Sequence, residues 1–478
     1  MQLDLRRHLL LGCLFLCSLW AAVVQAALPV SLQQALSKAQ LPLDSVAIVV
    51  QPLSGEPPLI SHNPAKAMNP ASVMKVVTTY AALEALTPAY RWKTEVYSNG
   101  PVRQGVLEGD LIIKGYGDPA LNNAELWRLL QQVQQQGVRH IKGNLLLDAS
   151  VYVPELSQRP ILDDEPWRAY NVNPYALLVN GAHSSFRFGV VKQDSKPLVN
   201  ITPEFDLPQI KLVNTVQVSK GPCADWRSNL QYAVAATADG ATVTFSGSLP
   251  EQCDERYLEL SVFSQQQYAA YTFKKLWAQL GGRLDGQVQA AVLPASASLV
   301  TTWWSAPLDA VVRDINKWSN NVMTRQLMLT IGMQAGYTPV DESRGALALK
   351  QVLQKQGLSF AELVLENGSG LSRNERISAE HLAQLLITAY QRPLMPVLMA
   401  SLPMLGLDGT LKNRLPDPAS QGMAYLKTGS LEGVSSVAGY VQDTQGKRYV
   451  VVMLVNHPQA AASRAIQDGL IKAVIEGR

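Results

Sequence analysis

Three short runs in this chain carry side chains able to break an acyl bond: Ser72-Val73-Met74-Lys75, Ser319-Asn320-Asn321 and Lys427-Thr428-Gly429. A serine hydroxyl is a poor nucleophile until a base removes its proton. A lysine three residues later can be that base only when neutral, so its pKa must fall from about 10.4 toward 7, a shift worth roughly 4–5 kcal/mol. Burial and a second nearby cation both push that way, and Lys427 supplies the cation if its strand lies beside the Ser72 helix. Ser319 then bridges the two lysines and passes a proton to a leaving amine. Asn321 donates and accepts at once, which suits gripping a peptide amide. Lys427 offers positive charge to a terminal carboxylate, Thr428 and Ser430 add hydroxyl donors, and Gly429 keeps a strand edge clear for substrate. Ser72, near a helix N-terminus, and the Ser430 N–H are the expected oxyanion donors. Taken singly, the runs read more readily as a solvated lysine, a helix cap and an edge strand. Taken together and in this order, they read as one acyl-transfer site.

The elements around them fit that reading. Residues 44–51 and 59–63 read as a strand, a turn and a return strand. Asn69-Pro70 reads as the start of a helix that ends near Thr87-Pro88, with Ser72 in its first turn and Lys75 on the same face. Residues 110–114, 124–136 and 143–147 read as strand, helix, strand, and 190–262 as a β-rich insert. Leu308, Val311, Val312 and Ile315 form one helical stripe. Ser319-Asn320-Asn321 follows as a tight connection to a second helix over 322–333. Strands at 425–431, 434–442 and 449–456 and a helix at 464–475 close the chain. That last helix lacks a rich basic face, so core packing is its reading and membrane association is loose at most.

The 478 residues exceed one ordinary core. A hydrophobic content of 47%, a charged content of 17% and a formal charge of +3 describe a globular chain with no concentrated basic face for nucleic acid. Arg6-Arg7-His8, an apolar run to Val24 and the small residue Ala26 read as a signal peptide over 1–26, hence export. Export leaves Cys223 and Cys253, which form either one bridge, worth roughly 3 kcal/mol for its loop length, or two buried thiols. There is no Cys-x-x-Cys and no histidine pair at ligand spacing, so no metal is expected. Gly115-Tyr116-Gly117-Asp118-Pro119-Ala120 matches a dinucleotide pattern but lacks the acidic partner further on, and reads as a structural turn. No cofactor is expected. A histidine-based triad is disfavoured too: no G-x-S-x-G elbow exists, and His62, His140, His183, His381 and His457 have no telling setting.

Ser-x-x-Lys, Ser-x-Asn and Lys-Thr-Gly in this order resemble the signature set of penicillin-binding proteins and related β-lactamases. Ser319 follows Ser72 by 247 residues (319 − 72), far more than in ordinary β-lactamases. Gly109-Asp110-Leu111 through Gly117-Asp118-Pro119, and Glu366-Asn367-Gly368-Ser369-Gly370-Leu371-Ser372-Arg373, extend the likeness. The chain resembles the D-alanyl-D-alanine carboxypeptidase/endopeptidases, the class C low-molecular-mass penicillin-binding proteins, with Asn367 where that family usually has Asp. The resemblance implies an α/β (α+β) fold: a transpeptidase/β-lactamase-like antiparallel sheet covered by helices, with two nested inserts, one strand-helix-strand and one β-rich. The implied division is 27–98 and 297–478 for the catalytic domain, 99–189 and 263–296 for the second, and 190–262 for the third. It implies an acyl-enzyme on Ser72 formed from peptidoglycan stem peptides ending in D-Ala-D-Ala or from D-alanyl cross-links, inhibition by β-lactam antibiotics, and a periplasmic location. Lys75 maps to the base, Ser319 and Asn321 to the middle motif, Lys427 to the carboxylate-side lysine, and Thr428, Gly429 and Ser430 to the substrate strand. A β-lactamase with rapid deacylation, and a wall-binding protein with an idle site, are the other two readings.

Overall fold

The computed structural model describes residues 28–158, 161–193 and 196–478; the signal segment expected at 1–26 lies outside the described residues. A five-stranded antiparallel sheet runs in the order Ala424–Leu431, Val434–Gln442, Arg448–Asn456, Val46–Pro52, Ile60–His62. The register sets Val46 opposite Val455, so the two ends of the chain close one sheet. Its inner strands are apolar almost without interruption because both faces are covered. Ala47, Val49, Ala438, Tyr440, Val450 and Val452 feed one core. Ile48, Val50, Val437, Val441, Val451 and Met453 feed the other, which the helices Val30–Lys38 and Arg464–Ile475 complete.

The first core encloses the helix Met74–Leu86, whose residues from Met74 to Leu83 are all buried. A helix without a polar face needs neighbours on every side. Leu308–Trp318, Asn321–Gln334, Glu342–Lys355 and Ala379–Tyr390 provide them. Its start differs from the expectation. Asn69 and Pro70 do not open the α-helix; a short 3-10 turn, Ala71–Val73, comes first and contains Ser72. Asn69 Oδ1 accepts the Ala71 N–H at 2.8 Å, so the asparagine caps this turn instead. Ala71 has φ +44°, a left-handed conformation that an L-residue keeps only when its surroundings impose it.

Between the halves of this unit the chain builds a second five-stranded sheet, ordered Val288–Ala290, Leu145–Asp148, Leu111–Gly115, Lys93–Ser98, Ser298–Trp304. Leu111–Gly115 and Leu145–Asp148 are parallel and are joined through the helix Asn123–Gln135, the strand-helix-strand unit read from the pattern. The outgoing strand Lys93–Ser98 pairs with the returning strand Ser298–Trp304, so the excursion starts and ends side by side. Gly115 and Gly117 lie hard against the Ala176 carbonyl and the Tyr152 hydroxyl, which makes this turn a packing element. Beyond it lie a three-stranded sheet (Lys196–Pro203, Ser184–Gln193, Arg256–Leu260) and a four-stranded one built on Ala241–Pro250. Phe186 and Phe188 of the first meet Phe245 of the second edge-on, with centroids 5.2 and 5.0 Å apart.

Cys223 and Cys253 come into bridging contact beside this insert, with their Cα atoms 4.9 Å apart. Non-reducing peptide mapping is expected to recover the two cysteine peptides joined. Cys253→Ser should destabilise the β-rich region by about 3 kcal/mol in urea unfolding, the entropy of a loop of this length. Separate thiol peptides would refute the bridge.

Candidate active site

The three runs that lie far apart in sequence converge where the Met74–Leu86 helix meets the edge strand Ala424–Leu431. Lys75 is completely buried, and its Nζ lies 2.9 Å from Ser72 Oγ, 2.6 Å from Asn321 Oδ1 and 2.6 Å from the Ser369 carbonyl. The chemistry of these partners orients the amine. Asn321 Oδ1 and the Ser369 carbonyl can only accept, so they take the two N–H groups of a neutral lysine. The remaining lone pair then faces Ser72, whose O–H is the one partner able to donate.

Lys427 is equally buried and donates to Ser319 Oγ at 2.9 Å and to the Thr428 carbonyl at 2.8 Å. Burial first, and then the charge of Lys427, hold Lys75 well below the ordinary lysine range, while the Glu375 carboxylate opposes them. Burial alone pulls Lys427 down to about 7. One expectation needs correcting: Ser319 does not bridge the lysines. Among the described residues its hydroxyl is bonded to Lys427, and it is Asn321 that reaches Lys75.

Local structure explains the middle run. Ser319 ends the helix Leu308–Trp318 in a left-handed conformation, φ 58° and ψ 39°. Asn320 caps the next helix by accepting the Met323 N–H at 3.0 Å, and Asn321 is that helix's first residue. Two interactions one turn back fix the connection. Asn316 Nδ2 reaches Thr79 Oγ1 (3.2 Å) and Ser401 Oγ (2.8 Å), and buried Lys317 pairs with Asp408 at 2.6 Å. Asp408 also accepts the Met404 N–H, ordering a loop whose Thr410 hydroxyl meets that of Thr428 at 3.0 Å. Sequence reading singled out none of Asn316, Lys317, Asp408 and Thr410; nothing in their spacing marks them.

The role expected of Gly429 also changes. A Cβ there would collide with Ser436 Oγ and would stand 2.6 Å from the Pro70 carbonyl and 2.9 Å from the Ser72 nitrogen. The space beside Gly429 is thus filled by the protein's own Ser72 turn, and the glycine lets that turn lie flat on the strand. Ser436 Oγ donates to the Pro70 carbonyl at 2.6 Å and fastens the contact. Ser430 is exposed, opposite Ser435 in the ladder. The third wall is the 366–373 loop. Gly370 packs on the Ala71 carbonyl, and Asn69 Nδ2 donates to the Ser372 carbonyl at 2.8 Å. Asn367 Oδ1 accepts from both the N–H and the hydroxyl of Ser369, while its Nδ2 donates to the Leu371 carbonyl at 2.9 Å. An aspartate could make the first two bonds but not the third, so this loop uses the amide as such.

Ser72, Ser319, Asn321 and Thr428 are half-buried, within reach of solvent. A cleft of about 700 Å³ runs from Ser319 and Asn321 to residues between Lys93–Ser98 and Ser298–Trp304 in the chain, including Asn122, Tyr170, Asn180 and Arg227. Among the described residues no group of histidine, cysteine and carboxylate side chains could hold a metal ion.

Comparison with known proteins matches residues 28–475 to the model of the D-Ala-D-Ala carboxypeptidase 3 (S13) family. The chain is 27% identical over 415 residues to a D-alanyl-D-alanine carboxypeptidase, DacB, of Haemophilus influenzae, covering 86% of this chain and 85% of that protein. It is 29% identical over 459 residues to a D-alanyl-D-alanine carboxypeptidase of an Actinomadura species, covering 90% and 81%. The crystal structure of penicillin binding protein 4 (dacB) from Haemophilus influenzae superposes with a TM-score of 0.75 at 25% identity, over 93% of this chain and 100% of that one.

Gly429→Ala tests the packing of strand on turn. The added methyl must push the Ser72 turn off the strand, and misplacing a nucleophile by about 1 Å costs on the order of a hundredfold in rate. Labelled penicillin should therefore acylate the variant at least about tenfold more slowly, with an unchanged circular-dichroism spectrum. Parental kinetics would show that the strand can yield without disturbing the site.

Proposed function

The chain belongs to the D-Ala-D-Ala carboxypeptidase 3 (S13) family, and from that premise we propose that Ser72 is the nucleophile with which it cleaves D-Ala-D-Ala termini and D-alanyl cross-links of peptidoglycan stem peptides. The family makes the protein a serine-type D-Ala-D-Ala carboxypeptidase on a transpeptidase-like fold. The assignment of roles to residues rests chiefly on one observation, the contact of Ser72 Oγ with a fully buried lysine amine at 2.9 Å.

In this reading the Lys75 lone pair takes the Ser72 proton as Oγ bonds to the penultimate D-Ala carbonyl carbon. The N–H groups of Ser72 and Ser430 hold the oxygen that becomes negative. The C–N bond then breaks. Ser319 gives its proton to the departing amine and is replenished by Lys427, its bonded partner. One positive charge has passed from Lys427 to Lys75, so the number of buried cations is conserved through the step. Before it, the charge on Lys427, with Thr428 and Ser430, holds the terminal carboxylate; afterwards that hold weakens and the free D-Ala leaves. Water next releases the acyl group: it gives a proton through Ser319 to neutral Lys427 as its oxygen bonds to the ester carbon, and Lys75 returns its proton to Ser72 Oγ as the ester C–O bond breaks, which restores both lysines. Asn321 grips the amide of the stem.

A β-lactam enters the same sequence, its ring nitrogen standing for the departing amine, and remains on Ser72 as an ester. The relatives' high-coverage structures include the Haemophilus influenzae protein complexed with a β-lactam, which supports β-lactams as inhibitors here. Among the described residues no helix is long and apolar enough to cross a membrane. We assign the segment 1–26 as a cleaved export signal and the periplasm as the site of action, where the stem peptides are.

Incubation of the full-length mature chain with penicillin is expected to add one penicillin mass, mapped to the peptide holding Ser72, and to release D-Ala from a D-Ala-D-Ala peptide. Ser72→Ala should lose both. A Ser72→Ala protein that still releases D-Ala would end the assignment, and rapid turnover of the adduct would favour a β-lactamase.

The lysine pair predicts how acylation depends on pH. Lys75 must be neutral and Lys427 charged: burial, and then the charge of Lys427, hold Lys75 well below the ordinary lysine range, while burial pulls Lys427 down to about 7. The second-order rate constant should therefore rise as Lys75 loses its proton and fall as Lys427 loses its own, at about 7 in the free enzyme. Stopped-flow acylation across this range checks the bell shape; a rate that only rises with pH would exclude a charged Lys427 from the reacting form.

A further inference from the structure

Behind the loop that brings the Ser369 carbonyl to Lys75 sits a carboxylate that no step above uses. Glu375 is completely buried. Its Oε1 accepts the N–H groups of Glu366 (3.0 Å), Asn367 (3.0 Å) and Gly368 (2.7 Å), and its Oε2 that of Gly370 (2.8 Å). Residues 366–370 belong to no helix or strand, so these donors have no ladder partner, and a buried N–H must find one. One side chain thus does for this loop what a neighbouring strand does elsewhere.

The same loop is joined to the nucleophile helix by its carbonyls. Ser369 accepts from Lys75 at 2.6 Å, and Gly368 accepts from Thr78 Oγ1 at 2.6 Å. The N–H groups of the loop therefore point back to Glu375 and two of its carbonyls point forward to the helix, a polarised layer one peptide thick. Burial raises the pKa of Glu375, and the four N–H groups oppose that rise. All four bonds come from donors, so a proton on either oxygen would stand against them; the arrangement favours the ionised form.

Other charged groups near the loop are engaged elsewhere. The Glu366 carboxylate turns to Ser372 and Asn374, Arg373 pairs with Glu432 at 3.0 Å, and Arg376 donates to the carbonyls of Arg373 and Glu375. Lys75 is thus left between one cation, Lys427, and one anion, Glu375.

We propose that Glu375 is a positioning residue for the acylation step: its carboxylate folds the 366–370 loop so that the Ser369 carbonyl meets the Lys75 amine, and its charge offsets that of Lys427 at this amine. The proposal rests on Lys75 being the base. Lys427 alone would make Lys75 easily neutral but weakly basic. A buried anion restores basicity, and proton abstraction is fastest when the pKa of the base lies near the working pH.

The test compares the full chain with Glu375→Gln, Glu375→Asp and Lys75→Ala, reading the second-order acylation by a fluorescent penicillin from about pH 5 to 9. Stoichiometric labelling corrects each protein for its active fraction. Glu375→Gln should lower the plateau by about tenfold or more and move the acid limb to lower pH, since loss of the anion and of the aimed carbonyl both disfavour protonated Lys75. Glu375→Asp, which keeps the charge, should keep the parental limb. A merely structural role would reduce the active fraction and leave the limb in place, and that result overturns the proposal, as does a Gln variant with parental plateau and limb. Lys75→Ala acylating at the parental rate would remove the base reading and the proposal with it, whereas the Gln outcomes remove the proposal alone. Hydrogen exchange on the unsubstituted protein gives a check that needs no variant. The amides of 366, 367, 368 and 370 should exchange slowly despite lying in a loop, and exchange at the rate of exposed loops would overturn the assignment.

Discussion

The structure depends on an amine kept out of water. Lys75 is buried with no carboxylate in direct contact, in a place where its charged form is disfavoured by desolvation and by a second buried lysine. That arrangement costs stability and would be selected against in an ordinary core. It persists because two carbonyl oxygens, of Asn321 and Ser369, hold the nitrogen and leave one direction open, toward Ser72. Each partner arrives on a different segment: Ser72 on the 3-10 turn before the lysine's helix, Asn321 on the helix it begins, and Ser369 on the loop that Glu375 holds. The surrounding architecture is the means of holding these three in place.

Two departures from relaxed backbone mark the same spot. Ala71 precedes Ser72 with φ +44°, and Ser319 has φ 58°. Such residues each cost about 1–3 kcal/mol and survive where the surroundings over-determine them. Here the constraints can be named. The Ala71 turn is pressed between Gly429 on the strand and Gly370 on the loop, and the Pro70 carbonyl is bonded to Ser436. Ser319 follows a helix end pinned by Asn316 and by the Lys317–Asp408 pair. Rigidity at the hydroxyls comes from their neighbours, which is what a reaction needing sub-ångström placement requires.

Chain topology makes this possible. The sheet joins the first described strand to the last hairpin, Val46 beside Val455, so segments far apart in the chain share one sheet. The long excursion between them leaves and returns on adjacent strands, and can therefore hold whole sheets without disturbing the core it departs from. It places Asn122, Tyr170, Asn180 and Arg227 along one cleft with Ser319 and Asn321.

Much of the fold and part of the site were legible in the residues. Periodicity located the helices Leu308–Trp318 and Arg464–Ile475 and the strand Val434–Gln442 at their observed bounds, because long amphipathic or wholly apolar runs leave few alternatives. The order of the three motifs pointed to the kind of chemistry and to side chains that the fold brings together, since a serine three residues before a lysine, with hydroxyl, amide and second lysine downstream, is a chemical statement in residue types. What only the folded chain decided was the wiring. Asn69-Pro70 looked like a helix start because local signals cannot register the loop and strand that press the backbone into a 3-10 turn. Ser319 was expected to join the lysines, but it meets Lys427 while Asn321 meets Lys75, because which of two neighbours on a helix end points inward is set by a left-handed residue between the helices. Gly429 was read as clearance for a substrate, and only the fold shows that a side chain there would meet the protein's own turn. Glu375 could not be found at all. Its meaning lies in four backbone groups of a folded loop and one lysine 300 residues earlier (375 − 75), and such a relation between backbone and side chain leaves no mark on residue type.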